Sequence, residues 1–416
     1  MALKNWITEY QITYKDILFS LQILLASFSA LIAVPILTGL DPNVALFTAG
    51  AGTLIFHFAT KRVIPVFVAS SFAFTTPIMF ATKTWGIPAA LGGMAVAGLV
   101  YIGIGGIIQW RGRKIIETLF PPVVVGPVIM ILGLMLVPAA VSMALGKANP
   151  NHLIAEKSAL LIAMASLATS VSVFLFARGA LKLIPVFCGL GAGYLVAIPF
   201  GIIDFSIISS APWITLPGFK TPAFKIDAIL YLVPAVIVPI IAHLGDILAI
   251  GEVTGNDYLK NPGVHRTLMG NGIATAFAAG VGGPPAGVYA EATAMVSVLR
   301  KSEPKLMVWA ALMAMLLAFF AKLGALLQTI PSPAIGGVLM VLFGSLIVLG
   351  VNCLKNSRME LTDLRNLLTV ALILVFGIGG ITFSAGAFSL KGVALALIVG
   401  VILNLILPHK KNPEKN

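Results

Sequence analysis

Apolar runs of about 20 residues, repeated from one end of the chain to the other, decide most of what this sequence can fold into. A helix needs about that length to cross roughly 30 Å of hydrocarbon. Without water, every backbone N–H and C=O must be paired inside the protein, so only helices or a closed barrel can span. Runs this long read as helices. Composition agrees, because 59% of the 416 residues are hydrophobic and only 10% are charged, whereas a soluble domain carries about 25% charged residues. Spans are expected near 17–39, 43–59, 63–81, 86–108, 120–145, 158–176, 183–203, 227–250, 267–282, 284–299, 306–328, 331–353, 363–383 and 390–408. The third, ninth and tenth are short or interrupted by Gly and Pro. The polar opening (Lys4, Glu9, Lys15, Asp16) leads into a run too long for a signal-peptide core, so Ile17 to Gly39 is expected as a retained first span.

The formal charge of +12 is explained by where the cations fall. With both termini cytoplasmic, 20 of the 27 Lys and Arg lie on the inside, Lys61, Arg62, Arg111, Arg113, Arg300 and Lys301 among them. The other seven are Lys83, Lys147, Lys157, Lys220, Lys225, Lys322 and Lys391. This bias is the positive-inside signature of a multi-pass protein of the inner membrane. The basic excess therefore meets anionic lipid headgroups rather than nucleic acid. Cys188 and Cys353 both sit in apolar segments and read as packing residues. No metal spacing, nucleophile–base pair or nucleotide loop points to an enzyme or a cofactor.

The chain divides into halves, 1–203 and 204–416, each with seven expected spans. An odd number of spans per half gives the halves inverted topology. The third span holds the polar, proline-ended stretch Val68-Ala-Ser-Ser-Phe-Ala-Phe-Thr-Thr-Pro77. An offset of about 210 residues lands on 278–287, inside Ala279-Gly-Val-Gly-Gly-Pro-Pro-Ala-Gly-Val288. Interrupted segments at corresponding positions of two halves point to a carrier's midplane site. A broken helix exposes N–H groups and a positive N-terminus that can hold electronegative atoms of a ligand. Close helix packing through small residues would explain one such stretch, but explains two matched ones less well.

Two carboxylates lie deep in the spans, Asp246 and Glu291. A carboxylate near the bilayer centre costs at least about 2.5 kcal/mol and is a functional candidate by default. Glu291 follows the Gly-Pro-Pro break, where the half-helix dipole would favour it and a held ligand would meet it. Its structural alternative is a helix cap. Asp246 stands three residues after His243, on one helical face, so the two form either a relay for a coupling ion or a structural pair. Lys322, in the eleventh span, is expected to snorkel outward or to pair with a carboxylate.

Several stretches, in order, resemble the uracil and xanthine permeases of the nucleobase–ascorbate transporter family: Ser20-Leu-Gln, Ser70-Ser-Phe-Ala-Phe74, Phe120-Pro-Pro-Val-Val-Val-Gly-Pro-Val-Ile129, Asn261-Pro-Gly-Val-His-Arg266, Tyr289-Ala-Glu291 and Ile330-Pro-Ser-Pro-Ala-Ile-Gly-Gly337. The resemblance implies an all-α polytopic fold of about fourteen transmembrane helices in two inverted repeats of seven, with short strand breaks in spans three and ten. It implies a core domain (spans 1–4 and 8–11) and a gate domain (spans 5–7 and 12–14). It implies symport of a nucleobase with H⁺ or Na⁺, and a homodimer through the gate. Carried over by position, backbone groups at Phe72, Tyr289 and Ala290 and the side chain of Glu291 would hold the base, with Ala30 facing it. Coupling would fall to Asp246, Glu291 and His243, because the glutamate usual in the eighth span is Ala242 here. Tyr289-x-Glu291 is similar to the uracil carriers, whereas Asp246 follows the xanthine pattern. An anion carrier similar to the sulfate permeases is the rival, disfavoured by Glu291 at the break.

Overall fold

The computed structural model describes residues 13–112, 118–147, 154–178, 181–182, 184–289, 296, 302–356, 362–385 and 388–407. Helices occupy nearly every apolar run. In the first half they are α1 (Tyr14–Thr38), α2 (Pro42–Ala59), α3 (Thr75–Trp85), α4 (Ile87–Arg111), α5 (Pro122–Ala144), α6 (Glu156–Phe176) and α7 (Pro185–Ala197). A short α8 (Phe205–Ser210) lies in the connection between the halves. The second half holds α9 (Ile226–Ala235), α10 (Ile237–Thr254), α11 (Val264–Gly280), α12 (Pro304–Ala318), α13 (Ala321–Gln328), α14 (Ser332–Asn356), α15 (Leu364–Ile378) and α16 (Val393–Ile406). Counting α9 and α10 as one, six helices are long and apolar enough to cross a membrane, among the described residues.

Local chemistry sets the ends. At α1, the Thr13 hydroxyl accepts from the Asp16 N–H, and the Asp16 carboxylate accepts from the Thr13 N–H, a capping box that satisfies two otherwise orphaned donors. Gly39, in the left-handed region at φ 76°, ends the same helix. Asp41 then caps α2, accepting from the Asn43 and Val44 N–H groups, with Pro42 in the first turn.

The third and tenth spans break as the resemblance implies. β1 (Val68–Ser70) leads into one 3-10 turn (Phe72–Phe74) before α3, and β2 (Ala286–Val288) follows α11. The two strands pair antiparallel, Val68 with Val288, Ala69 with Gly287 and Ser70 with Ala286. The second strand thus begins at the far end of the expected 278–287 window.

Two features were not expected. The eleventh span breaks between α12 and α13, and the connection between the halves satisfies the freed backbone. The Thr215 N–H donates to the Phe319 carbonyl at 3.0 Å, and the Ala321 N–H to the Trp213 carbonyl at 3.2 Å. Lys322 joins that contact, donating to the Ile208 carbonyl at 3.1 Å and lying 5.1 Å from the Trp213 ring centroid. Its cation is thus held by a carbonyl and an aromatic face of that connection. Secondly, α15 ends at Ile378, short of the expected 383, and β3 (Thr382–Ala385) and β4 (Phe388–Lys391) form a hairpin. Ser, Thr and Phe in alternation suit such a pair, and Gly380, at φ 71°, turns the chain out of the helix.

Packing is pairwise. α5 lies along α14, α4 along α11, α2 along α12, and α6 along α7.

Candidate functional site

The site is built from the two strands and the helices that hold them. A three-residue strand pair is marginal alone, so its outer backbone groups need other partners. In α2, the Thr53 hydroxyl accepts from the Val68 N–H at 2.9 Å and donates to the Val68 carbonyl at 3.2 Å. In α11, the Thr275 hydroxyl does the same for Ala286, at 3.2 and 3.4 Å. The first residue of each strand is thus held by a threonine of the helix before it. Asn271, one turn earlier in α11, adds a second donor to the Ala286 carbonyl at 3.2 Å. The strands are further joined by the Ser71 N–H donating to the Pro285 carbonyl at 2.9 Å. All of this is buried, as backbone polar groups within a membrane span require.

Aromatic rings collect where the strands end. Phe72 and Tyr289 have ring centroids 6.4 Å apart, tilted by 32°. Phe343 of α14 meets Phe72 edge to face at 5.9 Å, within the usual range for aromatic pairs. Ala30 of α1, 0% exposed, belongs to the same buried cluster as Tyr289 and Phe343, and Phe72 packs against it. The structure therefore brings Phe72 and Tyr289 together. Ala290 and Glu291 lie outside the described residues. The hydroxyls of Ser70 and Thr75, both buried and on either side of the 3-10 turn in sequence, have no hydrogen-bond partner. Such groups are costly in a dry interior and suit a polar ligand. Beside the 3-10 turn, a cavity of about 440 Å³ runs from Ala73, Thr76 and Pro77 to Met135 and Pro138 of α5 and to Val393.

His243 and Asp246 lie on α10, which packs against β2 and the 3-10 turn. The His243 ring is buried against Phe56, 6.2 Å between centroids. Neither ring nitrogen has a hydrogen-bond partner, so the expected pairing of His243 with Asp246 is not made. Ala242, in the place of the family glutamate, lies on the same helix, half-buried.

Thr53, Thr275, Asn271 and Phe343 were not singled out from the sequence. Threonine is common in membrane helices, and only the strand it holds gives it meaning. The one available signal was a threonine in each helix that precedes a break.

A strand pair broken out of two membrane spans, cradled by half-helices and lined by aromatic rings, defines a multi-pass membrane carrier rather than an enzyme. The profile of the permease family matches residues 14–386, and the chain belongs to that family, the nucleobase–ascorbate transporters. It is 47% identical to a "Probable uracil permease" of Haemophilus influenzae, over 98% of this chain and 97% of that protein. It is 39% identical to the uracil permease of Bacillus caldolyticus, over 96% and 94% of the two chains. It is 34% identical to that of Escherichia coli K12, over 93% and 90%. Among solved structures, the fold is similar to the transmembrane domain of the cyanobacterial bicarbonate transporter BicA, with TM-score 0.64, 16% identity and coverage of 95% and 99%. It is also similar to the murine anion transporter Slc26a9 in the inward-facing state, with TM-score 0.70, 11% identity and coverage of 97% and 70%.

Proposed function

We propose that this chain carries uracil across the inner membrane by alternating access, in symport with a proton. Support comes from the aromatic break between β1 and β2, together with the likeness to uracil permeases. A uracil-like base presents carbonyl oxygens and an imide N–H on the edge of a flat ring. Backbone N–H groups at the break suit the carbonyls, Glu291 suits the imide N–H, and Phe72 offers an aromatic edge or face to the ring. Core spans 1–4 and 8–11 would carry the site and gate spans 5–7 and 12–14 would flank it, with both termini cytoplasmic. The Phe72–Phe343 contact would then be one point where core meets gate. A homodimer through the gate fits this reading. Asp246 takes the coupling proton in place of the glutamate that Ala242 replaces, with Glu291 beside the base. Uptake of labelled uracil and of xanthine, in cells lacking their own carriers, tests the proposal. Saturable uracil uptake that collapses with a proton uncoupler is expected. No saturable uptake or binding of any base, with membrane expression confirmed, refutes it.

A further inference from the structure

The connection between the halves lies outside every expected span, yet its surface is not that of a loop in water. Pro212, Pro217 and Pro222 recur every five residues. Each removes a backbone donor and disfavours helix in the residue before it, and residues 211–225 run from α8 towards α9 without a helix or a named strand. Such a strap is held only by what it touches. The Thr215 N–H and the Trp213 carbonyl bond to the break between α12 and α13, around a bridge of Ile214 with Phe320. Gly218 passes Asp41, the cap of α2, so closely that a Cβ would lie 2.7 Å from the carboxylate. Phe219 meets Phe47 of α2 edge to face at 5.2 Å. The Lys220 N–H donates to the Val281 carbonyl, just past α11, at 3.2 Å, and the Ala223 N–H to the Pro88 carbonyl in the first turn of α4 at 2.8 Å. The Ala223 carbonyl then lies against Gly92 with no room for a Cβ. Gly92 is five residues beyond the start of α4, so the strap descends roughly 7 Å along that helix.

With its backbone pinned, the strap cannot turn its apolar side chains inward. Trp213, Ile214, Leu216, Phe224 and Ile226 are between 67% and 73% exposed. The charged residues within 205–225 are Lys220 and Lys225, both cations. Contiguous apolar surface of this kind marks an interaction site. A second protein would cover one side of it, but the strap touches α2, α4, α11 and α12 in turn and so follows an arc around one end of the bundle. A bilayer meets the whole of that arc. We propose that residues 205–226 anchor the chain in the membrane interface, with the apolar side chains at the boundary of headgroups and acyl chains and Lys220 and Lys225 among the phosphates. Exposed aromatic and aliphatic side chains with neighbouring lysines are the composition that settles there. The descent along α4 matches the depth of about 5–10 Å to which interfacial apolar faces are buried. Lys322, donating to the Ile208 carbonyl and lying over the Trp213 ring, fixes the indole from the protein side. Because the same strap supplies the bonds missing at Phe319 and Ala321, the anchor ties a broken span to the membrane surface. None of this depends on the cargo.

The full chain carrying Leu216→Cys, with Cys188→Ala and Cys353→Ala, is spin-labelled and reconstituted into vesicles of phosphatidylethanolamine and phosphatidylglycerol. A label at Met164→Cys, on the exposed side of α6, is the reference for the acyl region. The label at position 216 should collide with dissolved oxygen at least about twofold more often than with a water-soluble nickel chelate, as a group at the acyl boundary does. Preference for the nickel chelate overturns the proposal, because the strap is then a loop in water. Few collisions with either also overturn it, because protein then covers the surface. A second measurement leaves the strap unlabelled, reading Trp213 emission as the difference between wild type and Trp213→Phe. That emission should fall by about half or more in lipids brominated near the headgroup end of their chains, and by less with aqueous iodide. Quenching by iodide without quenching by the brominated lipid refutes the anchor, whether or not the labelled variant folds.

Discussion

Thr53→Val tests whether the strand break is a built site or a defect in a helix. Valine keeps the shape and the β-branch of threonine, so the packing of α2 is preserved, and only the hydroxyl is lost. In the native chain that hydroxyl takes the Val68 N–H at 2.9 Å and returns a bond to the Val68 carbonyl at 3.2 Å. Thr53 and Val68 are both 0% exposed, so water does not replace it readily. An orphaned buried donor costs about 1–3 kcal/mol, and loss of a bond to the carbonyl adds roughly 1 kcal/mol. The substitution should therefore destabilise the strand by on the order of 2–4 kcal/mol. Thr275→Val is the internal comparison. There the Ala286 carbonyl keeps Asn271 as a donor at 3.2 Å, only the N–H is orphaned, and the cost should stay near 1–3 kcal/mol.

Uracil binding should feel the same loss, because the base would be held at the ends of these strands and each 1.4 kcal/mol is tenfold in affinity. Thermal stability with and without uracil, and the KM for uptake, are the measurements. Thr53→Val should raise KM by tenfold or more and lower the melting temperature further than Thr275→Val does. The double variant should fall short of the sum, since either change loosens the same pair. If Thr53→Val leaves both KM and melting temperature unchanged, the threonine does not hold the strand.

Three further outcomes are expected. Glu291→Gln keeps size and loses charge, so gradient-driven accumulation should vanish and binding should weaken by about 1.5–3 kcal/mol, measured by uptake and by calorimetry; near-normal values remove Glu291 from the site. Asp246→Asn should let uracil equilibrate across proteoliposomes without concentrating it, and concentration that survives leaves Glu291 as the sole coupling group. Phe343→Ala deletes a fully buried ring worth about 3–5 kcal/mol of packing, and because that ring touches Phe72 it should raise the KM for uracil as well as lower stability. An effect on stability alone would place Phe343 outside the transport site.

The spans were legible because hydrocarbon thickness sets their length, and the breaks at 68–77 and 278–287 because Gly, Pro and Ser are out of place in lipid. What holds the breaks was not legible. Thr53 and Thr275 matter only through Val68 and Ala286, partners set by the tertiary fold rather than by spacing along a helix. The break at Phe319–Phe320 carries no Gly or Pro. It exists because the connection around Trp213 and Thr215 replaces the missing helical bonds, a non-local cause that no window of sequence contains. The outer ends of the β3–β4 hairpin were absorbed into the expected thirteenth and fourteenth spans because Phe383 and Leu390 extend their apolar runs. Lys322 was assigned the partners a lysine usually finds near a membrane surface, and its carbonyl and aromatic partners come from the same distant connection.

The likeness to a bicarbonate transporter and an anion transporter shows how little this fold decides about its cargo. A helix N-terminus at a break favours electronegative atoms of any kind, and a small oxyanion would be served as well as a carbonyl. The residues placed on that frame make the distinction. An oxyanion has no flat face for the Phe72 and Tyr289 pair to meet, and no N–H to offer a carboxylate. Glu291, directly after the break, would repel an anion held there unless it were protonated, whereas an imide N–H donates to it. The Ser70 and Thr75 hydroxyls, unpartnered within the protein, can donate to a base carbonyl at no electrostatic penalty. Uracil should therefore protect the protein against thermal unfolding while sulfate and bicarbonate do not. Glu291→Gln, which removes the repulsion, should narrow that gap from the uracil side by weakening the base. Protection by an oxyanion equal to that by uracil, in the wild-type chain, would show that the frame and not its side chains selects the ligand.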